Sequence, residues 1–405
     1  MPEAVIVATA RSPIGRAFKG SLREMRSDDL AAQIMAAALA KVPQLDPRDI
    51  DDLMLGCAEP AGVSGYNLAR VVSVLAGFDH LPGTTVNRYC SSSVQTTRMA
   101  FHAIKAGEGD VFISAGVEAV SQGVKGIADD LPDTRNPLFA EAEARTGKAA
   151  DSGTPWTDPR EKGALPDIYI TMGQTAENVA QMLGITREEQ DLFAVRSQNR
   201  AERAIANGFW RREITPVTLP SGATADADDG PRPGTTLDAV ARLKPVFRAE
   251  GTVTAGNCCP LNDGAAALVI MSDTKARELG LTPLARVVST AVTGLSPEIM
   301  GLGPVEASRR ALARAGMTIG DIDLVEINEA FAAQVIPSAR QLGIDEDKLN
   351  VNGGAIALGH PFGMTGARIT TTLINSLQHH DKQVGLETMC VGGGQGMAMI
   401  LERLS

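Results

Sequence analysis

The sequence predicts an α/β protein made of two halves that repeat each other, with a long loop-rich region inserted between them. The first observation is the alternation of apolar strand patterns with helix patterns along the 405 residues. The second is that four elements recur in the same order in both halves. The third is a stretch rich in Asp, Gly and Pro between the halves. Hydrophobic residues make up 44% of the chain, enough for a substantial core.

The first repeated unit is a helix, an acidic turn and an apolar strand. In the first half we expect the helix over residues 28–41, with Ser27 as its N-cap, and the strand over 49–55. In the second half the same pattern predicts a helix over 304–315 and a strand over 321–327. The alternative is chance, since any two βα segments look alike, but the matched order continues downstream.

The second repeated unit places a reactive side chain between a strand and a helix. A Val-Asn pair precedes Cys90 and a helix that runs to about residue 106. Another Val-Asn pair precedes His360 and a helix that runs to about residue 377. An apolar strand and a Gly-containing turn follow each helix. This alternation predicts mostly parallel sheets covered on both faces.

The inserted region differs in character from both halves. It runs over 122–244 and carries loop signatures at 129–133, 151–155 and 226–231. It holds one clear helix, over 186–207, which opens with a capping box. A long insertion of this kind typically covers or shapes a binding site.

These patterns divide the chain into three regions. The N-terminal half covers 1–121 and continues over 245–272, the loop domain covers 122–244, and the C-terminal half covers 273–405.

Composition and charge exclude several classes of protein. The formal net charge of −10 argues against a nucleic-acid partner. No apolar run of about 18 residues is found, so we expect no membrane partner. The chain enters the strand pattern Val5–Ala8 almost at once, so we expect no secretory signal. An odd number of cysteines, five, favours reduced thiols and a cytoplasmic location. Cys258 and Cys259 lack zinc-ligand spacing, so we expect no metal.

Cys90 is the first candidate for chemistry. It lies where a strand ends and a helix begins, so the helix dipole and unpaired amides should lower the pKa of its thiol. The same amides could hold an oxyanion. The alternative is a structural cysteine, since free Cys is among the most buried residue types.

Three further candidates lie in turns. His360 ends a Gly-rich turn ahead of a helix, where it could serve as base or oxyanion donor, or could be a solvated loop histidine. Cys390 opens the Gly-rich turn Cys-Val-Gly-Gly-Gly, whose amides could approach a ligand oxygen. That turn has neither a P-loop Lys nor a dinucleotide fingerprint. Asn328 follows an apolar strand and could fix a water or simply cap a helix.

Together these segments resemble the thiolase family. The resemblance covers nearly the whole chain and implies the thiolase fold, with the duplicated βαβ-type halves in a layered α-β-α-β-α arrangement and the loop domain covering the coenzyme A site. Five blocks in the family's order carry it: Val-Asn-x-x-Cys-Ser-Ser at Cys90, Gly251–Asn257 leading to Asp263-Gly264-Ala265, Asn328-Glu329-Ala330-Phe331, Gly-Gly-Ala-Ile-Ala-Leu-Gly-His-Pro ending at Pro361, and Cys-Val-Gly-Gly-Gly-Gln-Gly from Cys390.

The resemblance also implies residue roles. Cys90 would carry the acyl group, activated by His360, which would share one oxyanion hole with a water held by Asn328. Cys390 would exchange the α-carbon proton of acetyl-CoA. The amides of Cys90 and Gly392 would form the second oxyanion hole.

The family's CoA contacts transfer to six positions. Arg232 would lie near the nucleotide, and Cys259 stands where a CoA-contacting Ser is common, although Cys bonds only weakly. CoA would be a substrate, with no bound cofactor, and the chain would form a homodimer or homotetramer. The remaining contacts would surround the pantetheine: Met172, Phe247, Ala255 and Phe331. Plain core packing is the alternative for the two phenylalanines.

The expected activity is thiolytic cleavage of a 3-ketoacyl-CoA by CoA, as in fatty acid β-oxidation, through a cysteine acyl-enzyme with ping-pong kinetics. Thr171 stands where enzymes specialised for acetoacetyl-CoA often have His, which favours the degradative direction. The alternatives are a biosynthetic enzyme that condenses two acetyl-CoA molecules, a non-catalytic acyl-CoA-binding scaffold, and a Cys-His hydrolase.

Overall fold

The structure, a computed structural model, describes residues 2–123 and 133–405 and contains one mixed ten-stranded sheet and a two-stranded ribbon. The strands are β1 Ala4–Arg11, β2 Gly15–Arg16, β3 Asp52–Gly56, β4 Gly83–Val86, β5 Val111–Ala119, β6 Val217–Thr218, β7 Thr224–Ala225, β8 Asn262–Ser272, β9 Ala285–Gly294, β10 Leu324–Ile327, β11 Val384–Val391 and β12 Gln395–Arg403.

Helices lie on both faces of this sheet, and none of those in the described residues has the length and apolar character needed to cross a membrane. They are α1 Ser27–Leu39, α2 Leu68–Leu75, α3 Ser92–Ala106, α4 Ala140–Ser152, α5 Met172–Leu183, α6 Arg187–Ala206, α7 Leu237–Ala241, α8 Asp273–Glu278, α9 Gly303–Ala315, α10 Ala332–Leu342, α11 Ala355–Leu358 and α12 Phe362–His379.

Strand order confirms the duplication. The first half runs β4-β3-β5-β8-β1 and the second runs β10-β11-β12-β9, with β1 and β9 side by side at the junction. Each half has the same pairing directions: β3 with β5 and β10 with β11 are parallel, and β5 with β8 and β11 with β12 are antiparallel. A parallel bridge from Val325 to Leu349 stands where β4 stands in the first half.

The expectation of mostly parallel sheets is wrong. In the described part of the chain the parallel ladders are β3–β4, β3–β5 and β10–β11, and the others are antiparallel. The reason is local for β11 and β12: the turn Gly392–Gly394 between them is too short for a crossover, so they pair as a hairpin.

The layers follow from how the helices pack. Helix α3 packs against strands of the first half and α12 against strands of both halves, and the two helices pack against each other to form the central layer. Helices α1 and α2 cover the outer face of the first half, and α9 covers that of the second. The central helices approach closely because glycines face the contact: a Cβ on Gly366 would lie 2.3 Å from the Val94 amide nitrogen. The layered α-β-α-β-α arrangement is therefore confirmed.

Two predicted helix starts have different outcomes. Thr186 and Glu189 form the predicted capping box at the start of α6. The prediction that Ser27 caps α1 is wrong: the helix begins at Ser27 itself, and its hydroxyl donates to the Val63 carbonyl instead. The Ser27 hydroxyl therefore makes a tertiary hydrogen bond in place of the local helix-capping bond that the sequence predicted.

The inserted region holds more structure than the single helix predicted, since α4, α5 and α7 also form there. The Asp129–Pro132 part of its first predicted loop lies outside the described residues.

The acidic loop near Asp226 anchors the insertion to the core. Asp228 pairs bidentately with the fully buried Arg11 at 2.8 and 3.0 Å, and Asp229 accepts from the Ser21 amide at 2.8 Å.

We predict that Gly116→Ala destabilises the fold by roughly 1–3 kcal/mol or more, because its Cβ would meet the Gly363 carbonyl oxygen at 2.0 Å. The matched control is Gly147→Ala in α4, where nothing lies within 4 Å. That change should stabilise the helix by about 0.5–1 kcal/mol. Urea unfolding measures both, and a neutral Gly116→Ala contradicts the packing argument.

Candidate active site

Cys90 lies in a single 3-10 turn, Tyr89–Ser91, that leads into α3. Tyr89 has a left-handed backbone, with φ of 43°, which is strained for a residue with a side chain. Two polar contacts hold it there. Asn87 Oδ1 accepts from the Tyr89 amide at 2.8 Å, and the Ser92 hydroxyl donates to the Tyr89 carbonyl at 2.7 Å. This sharp turn sets the direction in which Cys90 projects.

The Cys90 side chain borders a cavity of about 320 Å³. Burial raises the pKa of its thiol to about 11, although the nearby Gly392 amide favours the thiolate and opposes that shift. The expected lowering of the pKa is therefore wrong, because desolvation outweighs the helix terminus. The sulfur is a neutral thiol near pH 7, and a nearby base must take its proton before it can attack.

His360 is fixed with its Nε2 unprotonated. Its Nδ1 lies 2.6 Å from the Thr365 hydroxyl, which donates its own proton to the Pro361 carbonyl at 2.7 Å. The hydroxyl must therefore accept from Nδ1–H, which leaves the lone pair on Nε2. Burial, reinforced by the positive charge of Arg368, lowers the pKa of the imidazole to about 3. His360 is thus a buried, neutral base, and the alternative of a solvated loop histidine is wrong.

Asn328 faces the same nitrogen. Its Nδ2 lies 3.3 Å from His360 Nε2 and is the donor of that contact, and the backbone carbonyl oxygen of Asn328 accepts from Gln334 Nε2 at 2.7 Å. Its Oδ1 is buried and has no hydrogen-bond partner among residues 2–123 and 133–405. The alternative role as a helix cap is wrong, because α10 begins only at Ala332.

Cys390 lies near the end of β11, fully buried. Burial raises the pKa of its thiol, and a negative charge on Cys90 raises it further. Cys390 lies two residues before Gly392, which lines the same cavity as Cys90, so the end of β11 brings the two thiols to one site. Among the described residues no hydrogen bond joins Cys90 to His360. The ring of Phe362, which borders the Cys90 cavity, lies 5.1 Å from the His360 ring.

Most of the predicted CoA contacts lie together. Met172, Phe247 and Cys259 pack against one apolar cluster that includes the buried Phe331, whose ring is 6.2 Å from that of Phe247. Met172 also borders the Cys90 cavity. Arg232 and Ala255 are exposed. Burial raises the pKa of the Cys259 thiol, and charges on Cys258, Cys90 and Cys390 raise it further. The CoA roles themselves stay predictions.

Sequence reasoning missed three residues that position His360. Thr365 fixes its tautomer, and Asn262 Oδ1 accepts from its amide at 2.9 Å. The buried Glu329 accepts from Ser197 Oγ at 2.6 Å and from the Ile356 amide at 3.1 Å, which secures the turn before His360. Glu329 was visible inside the Asn-Glu-Ala-Phe block, but nothing local marked it as buried. In residues 2–123 and 133–405 no group of three acidic, His or Cys side chains could hold a metal ion.

Comparison with known families decides the identity. Residues 4–274 match the model of the thiolase N-terminal domain, and residues 281–403 match that of the thiolase C-terminal domain. The chain belongs to the thiolase family. It is therefore an acyltransferase.

Other thiolases match over their whole length. The chain is 44% identical to the 3-ketoacyl-CoA thiolase of Bacillus subtilis, covering 99% of this chain and 100% of that one. It is 45% identical to the 3-oxoadipyl-CoA/3-oxo-5,6-dehydrosuberyl-CoA thiolase of Escherichia coli, covering 100% of both. The crystal structure of the Bacillus anthracis acetyl-CoA acetyltransferase superposes with a TM-score of 0.87 at 38% identity, covering 100% of this chain and 99% of that one.

We predict that Thr365→Val slows acylation of Cys90 by about ten- to hundredfold, because Nδ1–H loses its acceptor and the tautomer is no longer fixed. Thr365→Ser keeps the hydroxyl and should restore most of the rate. Rapid-quench measurement of the acyl-enzyme checks this. Equal rates for the Val and Ser variants, with equal melting temperatures, would contradict the positioning role.

We predict that alkylation of Cys90 by iodoacetamide accelerates about tenfold per pH unit between pH 7 and 9, because only the thiolate reacts. The rate should level off only near pH 11, where the thiol is half ionised. Peptide mass spectrometry follows this cysteine alone. A plateau below pH 9 would show that the thiol is more acidic than its burial implies.

Proposed function

We propose that this thiolase cleaves a 3-ketoacyl-CoA with CoA, giving acetyl-CoA and a shortened acyl-CoA, as in the β-oxidation of acyl chains. The observation that carries the proposal is that a second buried thiol, Cys390, lies two residues before Gly392, which lines the same cavity as Cys90. One thiol suffices for hydrolysis, whereas breaking and forming a carbon–carbon bond needs a separate proton carrier. The names of the B. subtilis and E. coli relatives support 3-ketoacyl substrates.

In the first half-reaction His360 Nε2 takes the proton from the Cys90 thiol, and the thiolate attacks the 3-keto carbon. The C2–C3 bond breaks, its electron pair passes to the thioester as an acetyl-CoA enolate, and the Cys390 thiol protonates the α-carbon. Cys90 is left as a thioester and Cys390 as a thiolate.

In the second half-reaction the Cys390 thiolate takes the proton from the thiol of an incoming CoA. The CoA thiolate attacks the acyl group on Cys90, and the shortened acyl-CoA leaves. His360 returns its proton to the Cys90 sulfur, so both thiols and the imidazole end as they began.

Hydrogen-bond donors support both transition states. Once protonated, His360 Nε2 becomes a donor, and with a water on Asn328 it stabilises the oxyanion of the attacked carbonyl. The amides of Cys90 and Gly392 stabilise the oxygen of the enolate. In a dehydrated site such preorganised donors are the largest single contribution to catalysis.

The second candidate is biosynthetic condensation of two acetyl-CoA molecules, which the name of the B. anthracis structural neighbour favours. The degradative direction is preferred because Thr171, at the start of α5, stands where acetoacetyl-CoA enzymes often have His.

Three further properties belong to the proposal. CoA acts as substrate and no bound cofactor takes part. The enzyme works in the cytoplasm, which five unpaired cysteines support. It assembles as a homodimer or homotetramer, which the one-sided pairing of β4 in the described sheet and the exposed Tyr66 and Leu75 near it support.

The test is an assay of acetyl-CoA release from 3-oxohexanoyl-CoA and from acetoacetyl-CoA, with and without CoA. CoA-dependent release from both supports degradation, and Cys90→Ser should abolish it. Activity restricted to acetoacetyl-CoA favours the biosynthetic enzyme, turnover indifferent to CoA favours a hydrolase, and no acyl adduct on Cys90 favours a scaffold.

We predict that Cys390→Ala still forms the acetyl adduct on Cys90 from acetyl-CoA but loses carbon–carbon cleavage by a factor of at least about 100, because the two thiols do separate tasks. Intact-mass analysis and the cleavage assay measure the two steps. The control is Cys57→Ala, a buried thiol outside the proposed machinery, which should keep both. Equal loss of both steps in Cys390→Ala would contradict the assignment of separate roles to Cys90 and Cys390.

A further inference from the structure

A second cavity lies where the two halves of the chain meet, apart from the one beside Cys90. It has a volume of about 390 Å³, and none of its described lining residues borders the Cys90 cavity. Arg98 and His102 of α3, from the first half, form one wall. Thr290 of β9 and Arg314 of α9, both from the second half, form another. A ligand in this cavity would therefore contact both halves.

The described lining of this cavity is cationic. Its ionisable residues are Arg98, His102 and Arg314, and it includes no Asp or Glu side chain. The chain as a whole has a net charge of −10, so carboxylates are plentiful elsewhere in it. A concave patch of positive charge in an acidic protein attracts anions from solution.

The charges that act on Arg98 are positive. Burial lowers the pKa of its guanidinium, and the charges of Arg88 and Arg314 lower it further. Arg88 itself has neutral acceptors, because its guanidinium donates to Gln95 Oε1 at 2.9 Å and to Gln395 Oε1 at 2.7 Å. Arg98 stays protonated near pH 7, since a guanidinium keeps its proton in proteins. A bound anion would relieve the repulsion between these like charges.

Two polar atoms at this cavity have no partner in the described part of the chain. Arg98 Nε is buried and lacks a hydrogen-bond acceptor there. Thr290 is only 2% exposed, and its Oγ1 likewise makes no hydrogen bond to a described residue. Leaving such groups unpaired costs free energy, so each is an argument for a ligand. Arg314 is already in place beside them, because its Nη1 donates to the Thr290 carbonyl at 2.5 Å.

A phosphate group suits these partners better than a carboxylate or a chloride ion. It carries about −1.5 to −2 charges at pH 7 and has several acceptor oxygens. It can therefore pair with two guanidinium groups at once and still accept from a hydroxyl. A carboxylate has a single charge, and a chloride ion cannot take bidentate hydrogen bonds.

We propose that this cavity binds a phosphate group, carried by inorganic phosphate or by a small phosphate monoester, between Arg98 and Arg314. Arg98 Nε and the Thr290 hydroxyl donate to its oxygens. The bound anion links α3 of the first half to β9 and α9 of the second, and so stabilises the junction of the two halves. This site does not depend on the reaction proposed for Cys90.

The test is the melting temperature of the full chain titrated with inorganic phosphate, with sodium chloride holding the ionic strength constant. The melting temperature should rise by about 2–5 °C once phosphate far exceeds its Kd, because the ligand binds the folded state. Adenosine 5′-monophosphate is the second probe. A rise at lower concentrations of the monoester assigns the site to a phosphorylated metabolite, and a rise with inorganic phosphate at equal or lower concentrations assigns it to the free ion.

Variants separate a binding role from a structural one. Arg98→Met removes a charge that its neighbours repel, so without phosphate it should melt at or above the wild-type temperature. It should nevertheless weaken phosphate binding by at least about tenfold, because a charge-assisted pair is lost. Arg314→Met should weaken binding similarly, and calorimetric titration of this variant decides if Arg98→Met proves unstable. The matched control is Arg48→Met, an exposed arginine paired with Asp46, which should keep the wild-type affinity.

Three results overturn the proposal. The first is a wild-type melting temperature that phosphate does not raise beyond the effect of chloride. The second is unchanged phosphate affinity in both Arg98→Met and Arg314→Met. The third is a melting temperature that rises with protein concentration and not with phosphate, which would show that a second copy of the chain covers the cations. None of these results bears on the proposed thiolytic activity.

Discussion

Removal of the reacting groups from water is the constraint on which the site depends. Burial raises the pKa of both thiols and lowers that of His360, so all three groups are neutral near pH 7. Charge can then appear only where a partner is already in place. The Gly392 amide at the Cys90 sulfur and the Thr365 hydroxyl at Nδ1 are such partners. The same dehydration protects an acyl-enzyme from hydrolysis and strengthens every hydrogen bond made to a developing oxyanion.

Holding so many polar groups in a dry interior requires that the surrounding backbone be fixed by other buried side chains. Glu118, at the end of β5, accepts hydrogen bonds from the amides of Ala58 and Gly363, at 2.9 and 2.8 Å. It therefore joins the loop after β3 to the first turn of α12, and so connects the two halves close to Cys90. Glu329 fixes the turn before His360 in a similar way, by accepting hydrogen bonds from Ser197 Oγ and the Ile356 amide. These carboxylates stabilise the backbone around the site, because removing one would leave buried amides without hydrogen-bond partners.

The features that could be predicted from the sequence are those that depend on short stretches of neighbouring residues. The duplication, the ends of α3 and α12 and the capping box at Thr186 depend on short-range periodicity and spacing, and the structure confirms them. The contact made by Ser27 depends on what meets in space, and so does the antiparallel pairing of β8 with β1 and β5, which are distant from it in sequence. The prediction of a lowered pKa for the Cys90 thiol was wrong for the same reason. A helix terminus is visible in the sequence, but the desolvation that outweighs its effect on the pKa is a property of the folded interior. Thr365 escaped notice because a threonine five residues after a histidine signals nothing until a helix turn brings the two together.

The duplication has a consequence for how such a site can arise. Cys90 and His360 occupy corresponding places, each just ahead of the central helix of its own half, and those two helices pack side by side. If the halves were separate, identical polypeptides in a symmetric pair, one position could offer only two copies of the same side chain. Covalent fusion lifts that restriction, so that equivalent positions can diverge into a nucleophile and the base that serves it. The two halves also differ at their strand ends. The C-terminal half has the three-glycine hairpin Gly392–Gly394 beside the Cys90 cavity, and the N-terminal half carries the long inserted region.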